Sequence, residues 1–128
     1  MQEKHLYEYA VIRVVPRVER EEFFNVGVVL YCRSQSFLQV KYEINALKFQ
    51  GFCTEMQLAD LEEYLHTFRK IALGGKDAGP IGQLPAAERF RWLTATRSTV
   101  IQSSKIHPGL TADPEAKLEQ LFRELVVS

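Results

Sequence analysis

Three runs of β-branched and aromatic residues near the start of the chain constrain its fold more than any other feature. They cover residues 6–15, 26–32 and 37–42. In the third run, apolar Leu38, Val40 and Tyr42 alternate with polar residues, which is the period of a strand with one exposed face. The connections between the runs are short, and sequential strands with short connections usually pair antiparallel. The sequence therefore predicts an N-terminal antiparallel meander.

The second run is apolar on nearly both of its faces, which indicates a central strand. Simple alternation, counted from Phe24, assigns the residues of this strand to two faces. One face contains Phe24, Val26, Val28 and Leu30, and the other contains Asn25, Gly27, Val29 and Tyr31. Glycine inside a strand often marks a bulge or a close approach by another backbone or a ligand, so we expect one of these at Gly27.

Three amphipathic stretches predict three helices. The first follows a capping box formed by Thr54 and Gln57 and ends at Gly74. The second covers about residues 85–94, with proline in its first turn. The third begins at Asp113, a helix cap that is followed directly by proline. The apolar stripe of this last helix consists of Leu118, Leu121, Phe122 and Leu125.

A short fourth strand is also predicted, over residues 98–102. Together these elements predict the α+β class, with an antiparallel meander of three or four strands packed against about three helices. We expect two layers and one domain that covers residues 1–128.

Composition disfavours several classes of function. The chain has 128 residues with 16 basic and 16 acidic side chains, whereas a nucleic-acid-binding chain usually has a basic excess. The three histidines are far apart, and the two cysteines, Cys32 and Cys53, lack zinc-type spacing, so we predict no metal site and two reduced thiols. The glycine-rich stretch 76–84 matches neither phosphate-loop spacing, and no cofactor is predicted.

The sequence also predicts a cytosolic location. Residues 1–5 are polar and lead directly into a strand pattern, not into the apolar region of a signal peptide. No apolar run approaches the roughly 20 residues that a membrane-spanning helix needs.

One segment has segregated charge. Residues 89–112 contain no acidic residue, and their basic residues are Arg89, Arg91, Arg97 and Lys105. Guanidinium groups with nearby hydroxyls suit phosphate or carboxylate, so Arg91, Arg97, Ser98 and His107 are candidates for an anion-binding site. The alternative is a solvated helix end whose arginines pair with glutamates from elsewhere. For His107, the alternative is a turn position, because Pro108-Gly109 is a strong turn signal.

A second candidate site lies on the predicted sheet. A charged group on a strand face must be paired or reach water, and Arg13 is such a group. The nearby Glu21 and Glu22 would make it a structural ion pair. The alternative is a functional arginine beside Asn25 and Gly27 on the neighbouring strand.

Two parts of the chain show a family resemblance. They contain YAVIRVVP at 9–16 with REEFFNVGV at 20–28, and WLTATRSTVIQSS at 92–104 with HPGL at 107–110. The chain thus resembles the bacterial family called domain of unknown function 3037, over nearly its whole length. The resemblance implies no established activity and no catalytic residues. Members of the family are often encoded beside a HipA-like kinase, which implies a protein partner.

Three hypotheses of function follow. The first is a non-catalytic binding or regulatory module with a protein partner, for which a HipA-like kinase is one candidate. The second is an enzyme or ligand-binding domain that recognises a phosphorylated or carboxylated molecule through Arg91, Arg97 and His107. The third is a nucleic-acid binder that uses residues 89–105, with Phe90 and Trp92 as stacking groups. A pocket shared by the arginines and His107 would favour the second, and an exposed apolar patch would favour the first.

Overall fold

The computed structural model describes residues 3–15, 23–52, 57–95 and 100–127, and their core is an antiparallel sheet. The strands are β1 (His5–Val14), β2 (Phe24–Cys32), β3 (Phe37–Tyr42), β4 (Ile101–Ser103) and β5 (His107–Thr111). The helices are α1 (Ala46–Phe52), α2 (Leu58–Leu73), α3 (Gly79–Gly82), α4 (Ala86–Leu93) and α5 (Pro114–Phe122). A π-helical turn, Arg123–Val127, follows α5. The predicted α+β class and the N-terminal antiparallel sheet are confirmed, with more helices than the three expected.

The strand order is β3-β2-β1, and β4 and β5 share the outer edge of β1. β4 pairs with the end of β1, where Ile12 lies opposite Ser103. β5 pairs with its beginning, where His5 lies opposite Thr111 and Tyr9 opposite His107. The predicted meander therefore forms, and the last part of the chain returns to complete the sheet.

Pro108 and Gly109 lie in strand β5, so the interpretation of His107 as a turn residue is wrong. The N–H and C=O groups of Val11 both form hydrogen bonds with Ser104. The backbone N–H and C=O groups of odd-numbered β1 residues therefore point towards the edge that β4 and β5 occupy. Because β1 pairs Tyr7 with Gly109 and Tyr9 with His107, the backbone nitrogen of Pro108 faces away from β1. A proline costs no ladder hydrogen bond at such an edge position. A side chain at Gly109 would overlap with the ring of Tyr7.

Gly27 follows the extra residue of a β-bulge in β2. Ile12 of β1 lies opposite Gly27 and Arg13 lies opposite Asn25, so Val26 has no partner on β1. A Cβ on Gly27 would lie 2.9 Å from the carbonyl oxygen of Lys41, so the neighbouring backbone also approaches closely. The expectation for Gly27 is thus confirmed.

The bulge also changes which residues of β2 share a face. Phe24 and Val26 belong to the same core cluster as Val29 and Tyr31, whereas Val28 belongs to the other. The simple alternation that grouped Val26 with Val28 is therefore wrong, because one inserted residue reverses the side of every position that follows it.

Helices cover both faces of the sheet, which makes it the middle of three layers and not one of two. On one face, the first core packs β-strand residues against α1, α2 and α4, with Phe49, Leu61, Leu65, Phe68, Phe90 and Leu93 as the main helical contributors. On the other face, the second core packs Val28, Leu30 and Cys32 against Leu118 and Leu121 of α5. Cys32 is free and fully buried, and Cys53 lies outside the described residues.

The predicted start of α5 is confirmed, and so are three residues of its stripe, whereas the fourth, Leu125, lies in the π-helical turn after α5 and is half-buried. The Asp113 carboxylate accepts a hydrogen bond of 3.2 Å from the Ala116 N–H, and Pro114 occupies the first helical position. Leu118, Leu121 and Phe122 are buried. The predicted capping box of α2 is wrong, because it places Gln57 in the first turn of the helix, whereas Gln57 is extended and is the N-cap of a helix that begins at Leu58. Thr54 lies outside the described residues. Within the described parts of the chain, no helix has the length and apolar character needed to cross a membrane.

Arg89 joins the start of α4 to the end of α2. Its Nη1 donates hydrogen bonds to the carbonyl oxygens of Ile71 (3.0 Å) and Ala72 (2.6 Å). Its Nε donates to the carbonyl oxygen of Leu84 at 2.9 Å. The last carbonyls of a helix have no partner within that helix, and a cation there also interacts favourably with the helix dipole. Arg89 of the acid-free segment is therefore paired with backbone carbonyl oxygens.

Ser104 lies between β4 and β5, where the pairing with β1 is interrupted. Ser103 and His107 are four residues apart, whereas their partners on β1, Ile12 and Tyr9, are three residues apart, so this connection contains one extra residue. The Ser104 hydroxyl accepts the Val11 N–H at 2.8 Å, in place of a strand carbonyl, and donates to the Lys105 carbonyl oxygen at 2.8 Å.

We expect Ser104→Ala to lower the free energy of unfolding by about 1–3 kcal/mol, because it leaves the buried Val11 N–H without an acceptor. Chemical denaturation followed by circular dichroism measures this change. Ser103→Ala is the matched control, since the Ser103 hydroxyl donates only to the Ser104 carbonyl oxygen and is half-buried. Equal losses for the two variants would contradict a special role for Ser104.

Candidate functional site

Arg13 and Asn25, both singled out from the sequence, lie opposite each other on β1 and β2. Gln102 of β4 lies opposite Arg13 on the other side, so the three form one row across the sheet. The row faces α5, and the Asn25 Nδ2 donates a hydrogen bond of 2.9 Å to the Leu125 carbonyl oxygen in the π-helical turn. Bulges and π-helical turns occur frequently at functional sites, and both border this row.

Two polar atoms in this row are buried without a hydrogen-bond partner among the described residues. They are Nε of Arg13 and Oδ1 of Asn25. The Arg13 guanidinium carbon lies 4.3 Å from the centroid of the Phe23 ring, a cation–π contact. A single group that both accepts and donates, such as a water molecule or a hydroxyl, would satisfy both atoms. The predicted ion pair with Glu21 or Glu22 stays a prediction, because those residues lie outside the described parts.

The structure does not bring Arg91 and His107 together. Arg91 is exposed on α4, which packs on the sheet face of the first core. His107 lies on β5 beside Tyr9, with ring centroids 5.2 Å apart, on the face covered by α5. The sheet therefore separates the two side chains, and no single pocket contains both. Arg97 and Ser98 lie outside the described residues.

Tyr7, on the same sheet face as His107, does not supply a base. Tyr7 and Tyr9 have ring centroids 6.2 Å apart on the same face. Burial raises the pKa of Tyr7 above 10.0, and the charge of Tyr9 raises it further. Tyr7 consequently keeps its proton at neutral pH, and its ring serves to cover Gly109.

A groove lies on the other face of the sheet, at the beginning of β1, and we call it the sheet groove. Its volume is about 620 Å³, and it is lined by Leu6, Glu8, Tyr31, Arg33, Ser34 and Ala87. Leu110 of β5 lies directly opposite Leu6, and each of these leucines is 61% exposed.

A second groove, which we call the aromatic groove, lies between α2 and α4. Its volume is about 380 Å³, and it is lined by Asp60, Glu63, Tyr64, Thr67, Phe68 and Trp92. Helix α4 borders both grooves, with Ala87 in the sheet groove and Trp92 in the aromatic groove.

No group of three or more potential metal-binding side chains was found in the parts of the chain that the structure describes. A family model described as "Protein of unknown function (DUF3037)" matches residues 9–126, nearly the whole chain. The chain belongs to this family. No curated protein and no solved structure matches the chain. The description of the DUF3037 family names no activity and no ligand.

Neither groove of this DUF3037 protein is predicted from its sequence. One side of α2 has polar residues spaced three and four apart, namely Asp60, Glu63 and Thr67. This spacing indicates that the three side chains lie together on the helix surface. Nothing local indicates that Trp92 of α4 lies against the same side, because that contact depends on how two helices pack. In contrast, the pairing of Arg13 with Asn25 follows from the predicted meander.

Proposed function

We propose that this DUF3037 protein is a non-catalytic binding or regulatory module whose partner is another protein. The observation that supports this most is the exposed apolar pair Leu6 and Leu110, side by side on neighbouring strands. Single exposed leucines are ordinary. Adjacent exposed leucines at a groove mark an apolar surface, and its burial by a partner lowers the free energy of the complex. Ile106, at the start of the same edge, is 41% exposed.

The sheet groove beside this pair has the composition of a small interface. Tyr31 and Ala87 give it an apolar floor, while Glu8 and Arg33 supply charges of opposite sign. Interfaces between proteins commonly combine an apolar centre with a polar rim. Such charges would orient a partner more than they would strengthen its binding.

The partner would contact side chains and not extend the sheet. β5 is an edge strand, and edge strands can accept a strand from another chain. Pro108 has no N–H, and its nitrogen faces the open side of β5, so the edge lacks a donor in its second position. Proline at such a place opposes the addition of a further strand.

The other two hypotheses have less support. A ligand site built from Arg91, Arg97 and His107 requires side chains from both faces of the sheet. A nucleic-acid surface that stacks bases on Phe90 requires an accessible ring, whereas Phe90 is only 3% exposed.

The test begins with capture of the tagged protein's partner from its host cells, with a HipA-like kinase as the first candidate. The partner is then purified and titrated into the wild type by calorimetry. The double variant Leu6→Thr/Leu110→Thr, which keeps residues suited to strands, should bind about tenfold more weakly or worse. Leu73→Gln is the matched control, because Leu73 is also 61% exposed but lies at the end of α2.

Two outcomes would overturn the proposal. One is that no protein binds the purified wild type directly. The other is that the double variant binds as tightly as Leu73→Gln does, which would remove Leu6 and Leu110 from the interface.

A further inference from the structure

The aromatic groove combines three rings with two carboxylates. Phe68 forms its base and is 3% exposed, while Tyr64 is 45% exposed at its side. The centroids of Tyr64 and Phe68 are 5.8 Å apart, and those of Phe68 and Trp92 are also 5.8 Å apart with the rings tilted by 65°. Rings at such angles present more than one π-face or edge to the same small space.

The described lining of the groove has charge of one sign. Among the described residues that line it, Asp60 and Glu63 are the only ionisable groups apart from the Tyr64 phenol, and none is a lysine, arginine or histidine. Neither carboxylate makes an ion pair with another described residue. Carboxylates and the negative faces of aromatic rings both attract cations, so the two features reinforce one another.

We propose that the aromatic groove binds an arginine side chain of the protein partner. This inference rests on the proposed function and names the chemistry that the partner must present. The groove's volume of about 380 Å³ is at the lower end of the range for ligand sites, and therefore suits one side chain better than a cofactor.

Arginine fits this lining better than lysine does. Its guanidinium is flat, so that it stacks on an aromatic ring, and it offers paired donors that match one carboxylate. It is also less strongly hydrated than an ammonium, which lowers the cost of leaving water. Among the described residues, two guanidinium groups already pack on rings, Arg13 on Phe23 at 4.3 Å and Arg69 on Tyr42 at 5.4 Å.

The position of the groove fits the proposed interface. Helix α4 lines both grooves, and both lie on the sheet face of the first core. A partner that covers Leu6 and Leu110 can therefore extend over α4 and place an arginine beside Trp92. The arginine would fix the orientation of the partner, and the leucines would provide the apolar contact.

Trp92 makes the test direct, because it is the only tryptophan in the chain. The probe is N-acetylarginine amide, and its neutral isostere N-acetylcitrulline amide is the control ligand. The Trp92 indole N–H resonance is followed by NMR during each titration. The arginine probe should shift this resonance saturably, with a dissociation constant in the low millimolar range, as befits one side chain without the rest of a partner. The citrulline compound should shift it much less.

Variants localise the binding. Asp60→Asn and Glu63→Gln should each weaken binding of the arginine probe about threefold, in keeping with exposed ion pairs. Glu62→Gln is the matched control: Glu62 lies on the same helix but lines a different groove, with Tyr42 and His66, and its removal should change the affinity little.

Three results would overturn the inference. They are a failure of the arginine probe to give a saturable shift, equal binding of the citrulline compound, and equal weakening by Glu62→Gln. The arginine probe tests only the aromatic groove and not the surface around Leu6 and Leu110. If the probe did not bind but the partner titration succeeded, this inference would be overturned and the proposed function would stand. Failure of the partner titration with successful probe binding would instead remove the proposed function.

Discussion

Leu121→Ala should lower the free energy of unfolding by about 2–5 kcal/mol, the usual cost of emptying a buried leucine site. Leu121 is 9% exposed and packs in the second core, where α5 covers Leu30 and Cys32 of β2. The loss comes from the apolar contacts of the removed atoms and from the cavity that they leave behind. Urea denaturation followed by circular dichroism measures the change.

Two variants in the same helix make this result interpretable. Gln120→Ala, at the exposed neighbouring position, should stay within about 0.5 kcal/mol of the wild type. Asp113→Ala should cost about 1 kcal/mol, because it removes the acceptor for the Ala116 N–H. If Leu121→Ala were no more harmful than Gln120→Ala, α5 would not be part of the cooperative core.

Arg89→Met should lower the free energy of unfolding by about 1.5–3 kcal/mol, because the hydrogen bonds lost are made by a charged donor. Methionine keeps much of the length and apolar stem of the side chain but none of its donors. The carbonyls of Ile71 and Ala72 at the end of α2, and that of Leu84 in the following loop, would each lose a partner. Thermal and urea denaturation both measure the loss.

Arg91→Met is the matched control, two residues along the same helix, where the side chain is exposed and the expected change is within about 0.5 kcal/mol. Arg89→Lys should recover only part of the stability, because one ammonium cannot reach carbonyls in two segments with the geometry of a planar fork. Full recovery by lysine would show that charge alone matters there. Equal effects of Arg89→Met and Arg91→Met would contradict the role of Arg89.

The elements that the sequence predicts well have signals within a few neighbouring residues. Strand β3 has the predicted bounds, because its alternation is unbroken. Helix α5 begins at its predicted cap, because Asp113 and Pro114 both favour a helix start. The closeness of Arg13 and Asn25 also follows, since a short connection between two strands sets which residues can meet.

The remaining features depend on contacts between distant parts of the chain. Pro108-Gly109 is a turn signal locally, but β1 provides a partner and Tyr7 provides a ring to cover the glycine. Neither fact can be read from residues near position 108. The bulge at Val26 changes which sheet face the residues at one end of β2 occupy. Alternation alone does not show where the extra residue is inserted.

The same limit applies to the candidate sites. Whether Arg91 and His107 share a pocket depends on which face of the sheet each element covers, and stripes of apolar residues do not specify a face. An amphipathic helix of the same pattern would pack equally well on either side. The grooves beside α4 arise in the same way, from the packing of elements whose individual patterns are ordinary.

The sharing of one edge of β1 by β4 and β5 has a consequence for synthesis on the ribosome. His5, at the start of β1, pairs with Thr111, so this half of the sheet has contacts of long sequence separation. The meander of β1, β2 and β3 can assemble early, but the open edge of β1 must wait until residues 101–111 have been translated. Chains with such distant pairings fold slowly, and a waiting strand edge is where nascent chains associate wrongly. Slow translation or a shortage of chaperones should therefore increase wrong association of nascent chains for as long as the outer edge of β1 has no partner strand.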